Sequence, residues 1–278
     1  MTSAQAYAAM VDEYNEWRAR NESESPDRWG TQRTTARFSM DPRRPLSSDL
    51  ETIAAYLAPD DVLLDVGGGA GRLGLPLALR CKEVINVDAS PGMLAAFREV
   101  ATAAGIPNVR AVQSDWLKAG GVEGDVCLCS SVTYFIREIE EFVGRLNRAA
   151  RKRVIIRVVS LPNPNATEPF YKLLYQKPFS PAPGFRELLP VIWDLGMLPD
   201  VRVSSTPASV IPQPTRENAI EEQVTAPWVR PDDRDRARDL FTAHFDELFG
   251  AIPSGFVPRV LAEARDVLII WETGRHRT

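Results

Sequence analysis

The sequence predicts a doubly wound α/β fold on a mostly parallel, seven-stranded sheet. Three observations predict it. Short apolar runs alternate with helical stretches through residues 47–160. A glycine-punctuated turn closes the first run, as Asp65-x-Gly67-x-Gly69-x-Gly71. Acidic residues stand where the first three runs end, at Asp65, Asp88 and Asp115.

The elements follow in order. Residues 3–20 read as a helix capped by Thr2 or Ser3, and 21–45 as a polar segment broken by prolines and Gly30. Ser48-Asp-Leu-Glu51 fits a capping box, with Leu50, Ile53, Ala54 and Leu57 following at helical spacing up to Pro59. Strands are expected at 62–66, 83–88, 109–113, 125–130 and 153–159, with helices at 71–80, 91–104 and 137–150 between them. Strands joined through helices of this length imply right-handed crossovers and parallel pairing. Beyond Ser160 the rhythm loosens. A helix at 185–195, a strand at 201–205, helical stretches at 217–224 and 232–249 and a closing apolar strand at 266–272 are expected. One domain over 1–278 accounts for this pattern: a helical cap at 1–46, a ligand-binding core at 47–160, and a C-terminal sheet half at 161–278 with an insertion at 206–265.

Composition narrows the function. A net charge of −4 disfavours nonspecific nucleic-acid binding, which needs a basic face to displace counterions. No run approaches the roughly 18 apolar residues of a membrane helix, and 1–20 lacks the apolar centre of a signal peptide. Three cysteines are too few for a disulfide framework, so a cytoplasmic setting is expected. Cys127 and Cys129 share one strand face as packing residues, and with two histidines a zinc site is poorly supplied.

Open α/β sheets bind ligands beyond the carboxyl ends of their strands. Glycines there let backbone approach a nucleotide-like ligand where a β-carbon would collide. A carboxylate at Asp88 can accept hydrogen bonds from both hydroxyls of a ribose, and Asp115 from an adenine amine with Trp116 beside the ring. Blander roles are available: Asp65 and Asp115 as turn residues, and Asp88 as a cap for the helix at Pro91, where Ser90 is better placed.

In order and spacing these residues resemble class I S-adenosylmethionine-dependent methyltransferases, well over roughly 50–160 and more weakly over the last strands. The resemblance implies a Rossmann-like methyltransferase fold and S-adenosyl-L-methionine as cofactor, with S-adenosyl-L-homocysteine as product. It implies that Gly67, Gly69 and Gly71 lie under the methionine part, and that Asp65 orients the turn and the ammonium. Asp88 would bind ribose and Asp115 adenine, with Ala89, Met93, Trp116 and Ser131 as further cofactor contacts. Ser131 and Tyr134 fall where the family lines its reaction cleft. Tyr134 and His244 are the candidate catalytic residues, although a phenol is a poor base at neutral pH and His244 falls in the apolar stripe of the 232–249 helix. His276 reads as a solvated residue.

The segment after the fourth strand lacks the Asn/Asp-Pro-Pro-aromatic motif that the family uses on nucleic-acid bases. The expected partner is therefore a small-molecule methyl acceptor, with no nucleic acid and no membrane, and a homodimer is left open. Aromatic-rich segments at 7–29, 170–179 and 228–256 are candidates for a lid or for ordinary core. Two other readings stay open. Gly69-Ala-Gly71-Arg-Leu-Gly74 also satisfies the dinucleotide fingerprint of an NAD(P)-dependent oxidoreductase, and a non-catalytic module would bind the same cofactor without chemistry.

Overall fold

The computed structural model describes residues 1–22, 27, 29–208 and 210–274, so His276 lies outside the described residues. The chain order is α1 (Ser3–Asn21), α2 (Gln32–Phe38), α3 (Ser48–Ala54), β1 (Val62–Val66), α4 (Gly74–Ala78), β2 (Glu83–Asp88), α5 (Pro91–Ala103), β3 (Val109–Gln113), β4 (Gly124–Ser130), α6 (Ile139–Ala149) and β5 (Ala150–Val159). It continues with α7 (Glu168–Tyr175), α8 (Phe185–Asp194), β6 (Asp200–Pro207), α9 (Arg216–Val224), α10 (Arg234–Ala243), α11 (Phe245–Leu248), β7 (Phe249–Ile252), β8 (Gly255–Pro258), α12 (Arg259–Ala262) and β9 (Arg265–Glu272).

Seven strands form one sheet in the order β3-β2-β1-β4-β5-β9-β6. Pairings from β3 through β5 are all parallel. The last strand, β9, runs antiparallel to both its neighbours, β5 and β6. Side chains two apart on a strand share a face, and the core divides accordingly. Leu64, Val66, Ile85, Val87, Cys127 and Cys129 pack into one cluster; Leu63, Val84, Val126 and Leu128 pack into the other. Both faces are buried because helices cover both, as parallel sheets require. Cys81, Cys127 and Cys129 are buried free thiols.

Helix α1 lies on the first face. Its Tyr7, Val11, Tyr14 and Trp17 recur at helical spacing and are all buried there. Thr2 caps it, and Gln5 completes a capping box. At α3 the expected box does not form: Ser47 is the N-cap and makes no side-chain bond, while Asp49 in the first turn is buried and accepts from Arg157 Nε at 2.6 Å. The 71–80 helix shortens to α4, leaving Gly71 and Arg72 in the turn. The 232–249 helix divides at His244, whose φ of −105° and ψ of 26° end α10 before α11 begins. Helices α2 and α7 and the β7–β8 hairpin carry no strong periodic signal in the sequence. Thr31 caps α2 by accepting from the Thr34 amide at 3.3 Å. No helix among the described residues is long and apolar enough to cross a membrane.

Candidate active site

The carboxyl edge of β1, β2, β3 and β4 gathers the residues expected to bind a ligand. The turn after β1 is clipped to β2: the Gly67 amide donates to Val87 O at 2.8 Å. The Gly69 amide donates to Asp88 Oδ2 at 2.9 Å, and Asn86 Nδ2 donates to Gly69 O at 2.9 Å. Gly69 is thus held through both its N–H and its C=O by β2 side chains. Gly67, Gly69 and Gly71 all have positive φ, at 70°, 56° and 85°. Their surroundings differ. A β-carbon on Gly67 would come within 2.3 Å of Val132 Cγ2, and one on Gly71 within 2.6 Å of Leu75 and Phe97. A β-carbon on Gly69 would meet only Met93 Sδ, at 3.6 Å, so the turn is open at that point. Met93 itself is buried, with its amide on Ser90 Oγ at 3.1 Å.

Asp88 is half-buried. Its Oδ1 accepts from the Ser90 amide at 2.8 Å while Oδ2 holds Gly69. Each oxygen has one lone pair left for a ribose hydroxyl. Burial pushes the Asp88 carboxyl up, and the Ser90 and Gly69 amides oppose it. Ala89 beside it is exposed. The Ser114 amide donates to Asp88 O at 3.0 Å, which sets the β3 exit next to β2. There Asp115 is exposed and caps the 3₁₀ turn Trp116–Lys118, accepting from the Leu117 amide at 2.9 Å.

Asp65 lies beneath the turn rather than on it. It is 2% exposed, and its Oδ2 has no hydrogen-bond partner. A β-carbon on Gly68 would come within 2.5 Å of that oxygen and 2.7 Å of Asn86 Oδ1, which is also unpartnered. Burial, then repulsion from Asp88, pushes the Asp65 carboxyl up to about 7. This carboxyl thus lies against the inner side of the turn at Gly68.

Three expected residues have other surroundings. Trp116 is 6% exposed and packed in the core, with its indole N–H on Phe142 O at 3.4 Å, so its ring does not lie open to a ligand. Tyr134 is buried within a 3₁₀ turn after β4, and its hydroxyl accepts from the Val159 amide at 2.8 Å. Burial pushes that phenol up to about 12, which removes it as a base at neutral pH. His244 stands half-exposed at the α10–α11 break, not within an apolar stripe, with Nδ1 3.2 Å from Glu247 Oε2. Ser131 does reach the edge: its φ is 58°, its amide donates to Arg157 O at 2.8 Å, and its buried Oγ has no hydrogen-bond partner.

Sequence reasoning missed three contributors. Asp27, from the polar cap segment, accepts from Ser90 Oγ at 2.8 Å, from the Gly92 amide at 3.2 Å and from the Gly30 amide at 2.8 Å. Desolvation opposes its ionised form, but these bonds hold its carboxyl below the usual range. Asn86 was hidden inside an apolar strand, where only its polarity at a fully buried position marks it. Arg157 on β5 is 1% exposed, bonded through Nε to Asp49 Oδ2 at 2.6 Å and through Nη2 to Asp266 Oδ1 at 2.7 Å. Above the cleft, Trp29 meets Phe38 and Phe135 edge-on, and Phe135 also touches Tyr14.

The strand order separates the two cofactor readings. A dinucleotide fold continues 3-2-1-4-5-6 in parallel, whereas here an antiparallel last strand is inserted between β5 and β6. Comparison with known proteins agrees. Residues 63–153 match the family described as "Methyltransferase domain". A putative methyltransferase from Bacillus halodurans C-125 superposes with a TM-score of 0.54 at 16% identity, over 81% of this chain and 96% of its own. The YcgJ protein of Bacillus subtilis gives 0.55 at 14% identity, over 82% and 98%. Magnesium protoporphyrin IX methyltransferase from Synechocystis PCC 6803, solved with bound SAH, gives 0.50 at 12% identity, over 95% of each chain. At such identities the likeness is one of fold. No curated protein sequence matches the chain. The matched segment spans β1 to the start of β5, with the glycine turn and both acidic exits after it, and it carries the methyltransferase domain of this chain.

Proposed function

We propose that the chain transfers the methyl group of S-adenosylmethionine to a small-molecule acceptor by in-line displacement. It would work as one domain in a reducing, cytoplasmic setting, without nucleic acid. The observation that carries the reading is Gly69, held through its N–H by Asp88 and its C=O by Asn86, with only Met93 Sδ near its outer side. The groups present fit the cofactor: Asp88 to accept from the ribose, exposed Asp115 from the adenine amine, the Gly67–Gly71 backbone for the methionine part, and Ser131 after β4. When bound, the cofactor supplies a methyl already activated on a sulfonium.

What remains for the protein is alignment and exclusion of water, which can lower a barrier by on the order of 7–11 kcal/mol. With Tyr134 pushed up to about 12, no phenolate is on hand for proton removal. That favours an acceptor that arrives unprotonated or ionises readily. A cavity of about 250 Å³ at the carboxyl end of β5 supports a small acceptor, with Met10, Leu161, Pro162, Phe185, Arg186 and Glu187 among its walls. Its polar walls are largely occupied. Asn165 exchanges two bonds with Ala182, and Glu187 Oε2 accepts from the Gly184 amide. The site therefore selects apolar surface, with Arg186 as its one cation. The solved relative that acts on magnesium protoporphyrin IX lends support to a small-molecule substrate.

Calorimetric titration tests this. S-adenosylhomocysteine binds the wild type, reduced nicotinamide dinucleotide does not, and Asp88→Ala weakens the former by roughly 1.5–3 kcal/mol. Preference for the dinucleotide, or unchanged affinity in Asp88→Ala, overturns the reading.

A further inference from the structure

A second cavity, of about 330 Å³, lies between the 42–46 loop, α3 and α4, and has no part in the site described above. Its walls include the guanidinium side chains of Arg43, Arg44 and Arg80 and a single carboxylate, Glu51. In a chain of net charge −4, three cations line one hollow, although Asp41 and Asp49 also act on Arg44. Among the described residues, Glu51 forms no ion pair with any of them. The arginines are partly fixed already. Arg43 Nη2 donates to Ala104 O at 3.1 Å, Arg44 Nη1 to Asp41 O at 2.8 Å, and Arg44 Nη2 to Arg72 O at 2.6 Å. Each guanidinium has five N–H groups, so donors remain for a ligand in this fixed arrangement. Pro42, Pro45 and Pro76 stiffen the surrounding walls.

The bond from Arg44 to the Arg72 carbonyl links the two sites. Arg72 directly follows Gly71, the last residue of the cofactor turn. A ligand that draws on Arg44 changes the hold on that carbonyl, and through it the turn. Planar forked donors match the oxygens of a phosphoryl group, which carries close to two charges at neutral pH.

We propose that this cavity binds the phosphoryl group of a small phosphorylated metabolite, and that Arg44 couples its occupancy to cofactor affinity through the Arg72 carbonyl. The site is distinct from the methyl-transfer cleft, and phosphate binding does not depend on the acceptor assigned there.

The probe is inorganic phosphate, titrated calorimetrically into the full chain at constant ionic strength. Saturable binding is expected, weakened roughly tenfold or more in the Arg43→Ala/Arg80→Ala variant and unchanged in Arg110→Ala, an exposed arginine on β3. Melting temperatures taken alongside show that each variant is folded. Saturating phosphate is expected to change S-adenosylhomocysteine affinity at least about twofold, and S-adenosylhomocysteine to change phosphate affinity by the same factor. Arg44→Lys keeps phosphate binding and loses that reciprocity. No saturable binding, or equal weakening in Arg110→Ala, overturns the site. Binding without any effect on S-adenosylhomocysteine overturns the coupling.

Discussion

Two buried carboxylate arrangements in this fold solve the same problem in opposite ways. On the β5–β9 side, Asp49 and Asp266 flank Arg157, all three nearly sealed from solvent, with bonds of 2.6 and 2.7 Å. On the β1 side, Asp65 is equally buried but its Oδ2 is unpartnered, and burial pushes its carboxyl up to about 7. The first arrangement pairs both carboxylates with one guanidinium and ties α3, β5 and β9 together. In the second, burial and the neighbouring Asp88 shift the carboxyl toward its protonated form. A buried group left incompletely satisfied beneath a cofactor turn, beside a fully paired network one layer away, marks where the fold has been shaped for a ligand.

The comparison is broken most severely at Arg157. Arg157→Met removes the cation hydrogen-bonded to two buried carboxylates, which keep the charge of Arg72 nearby. Removing one partner from such a network costs about 3–5 kcal/mol, far more than the intact network contributes over an apolar replacement. Urea unfolding at pH 7 reads the loss directly, and a change under about 1 kcal/mol would show that the charges are solvated after all. Arg157 Nη1 also donates to Ser130 Oγ at 3.4 Å, so this variant removes a contact at the β4 exit as well.

Asp65→Asn sharpens the other half. The folded carboxyl titrates near 7, well above its usual value of 3.8. Between those pH values the unfolded chain releases the proton and the folded chain keeps it. Wild-type stability from this group therefore falls as pH rises from about 4 to about 7 and is level beyond, with a ceiling of about 4 kcal/mol. Asparagine is neutral throughout, so the stability of the variant relative to wild type climbs across that window. Paired urea titrations at pH 4 and pH 8 measure it, and a constant difference between the two proteins would mean that Asp65 is ionised in the fold.

Most strands were legible because the apolar runs alternate with helical stripes and end on recognisable punctuation. Val62–Val66, Glu83–Asp88 and Val109–Gln113 are found at their expected bounds. The antiparallel direction of β9 was not legible, since an apolar strand buried on both faces reads the same either way. The turn residues and Asp88 fall together at one edge because each follows its strand directly. Long-range partners were out of reach. Asp27 meets Ser90 across 63 positions, and Arg157 meets Asp49 across 108, so local pattern carries no trace of either pair. His244 misled because Leu240, Phe241, Phe245 and Leu248 suggest one continuous stripe, whereas the chain breaks there and directs the imidazole outward. Trp116 misled because an aromatic beside a candidate adenine site packs as readily into the core beneath it.

The smallest expected effect concerns the cap. Asp27 is the only described residue of 21–31 that bonds to the N-terminus of α5, and it does so beside Asp88, whose ionised form it disfavours by repulsion. Asp27→Ala removes the acceptor of Ser90 Oγ and the Gly92 amide, at a net cost of about 1 kcal/mol to stability. If the cap opens to release the product, that loss appears in the dissociation rate of S-adenosylhomocysteine, which rises roughly two- to tenfold in stopped-flow displacement. If the cap is a fixed wall, stability falls by the same amount and the rate does not move. The paired measurement thus decides whether the contact between cap and cofactor edge is a latch or a seam, because only a latch lies on the path of release.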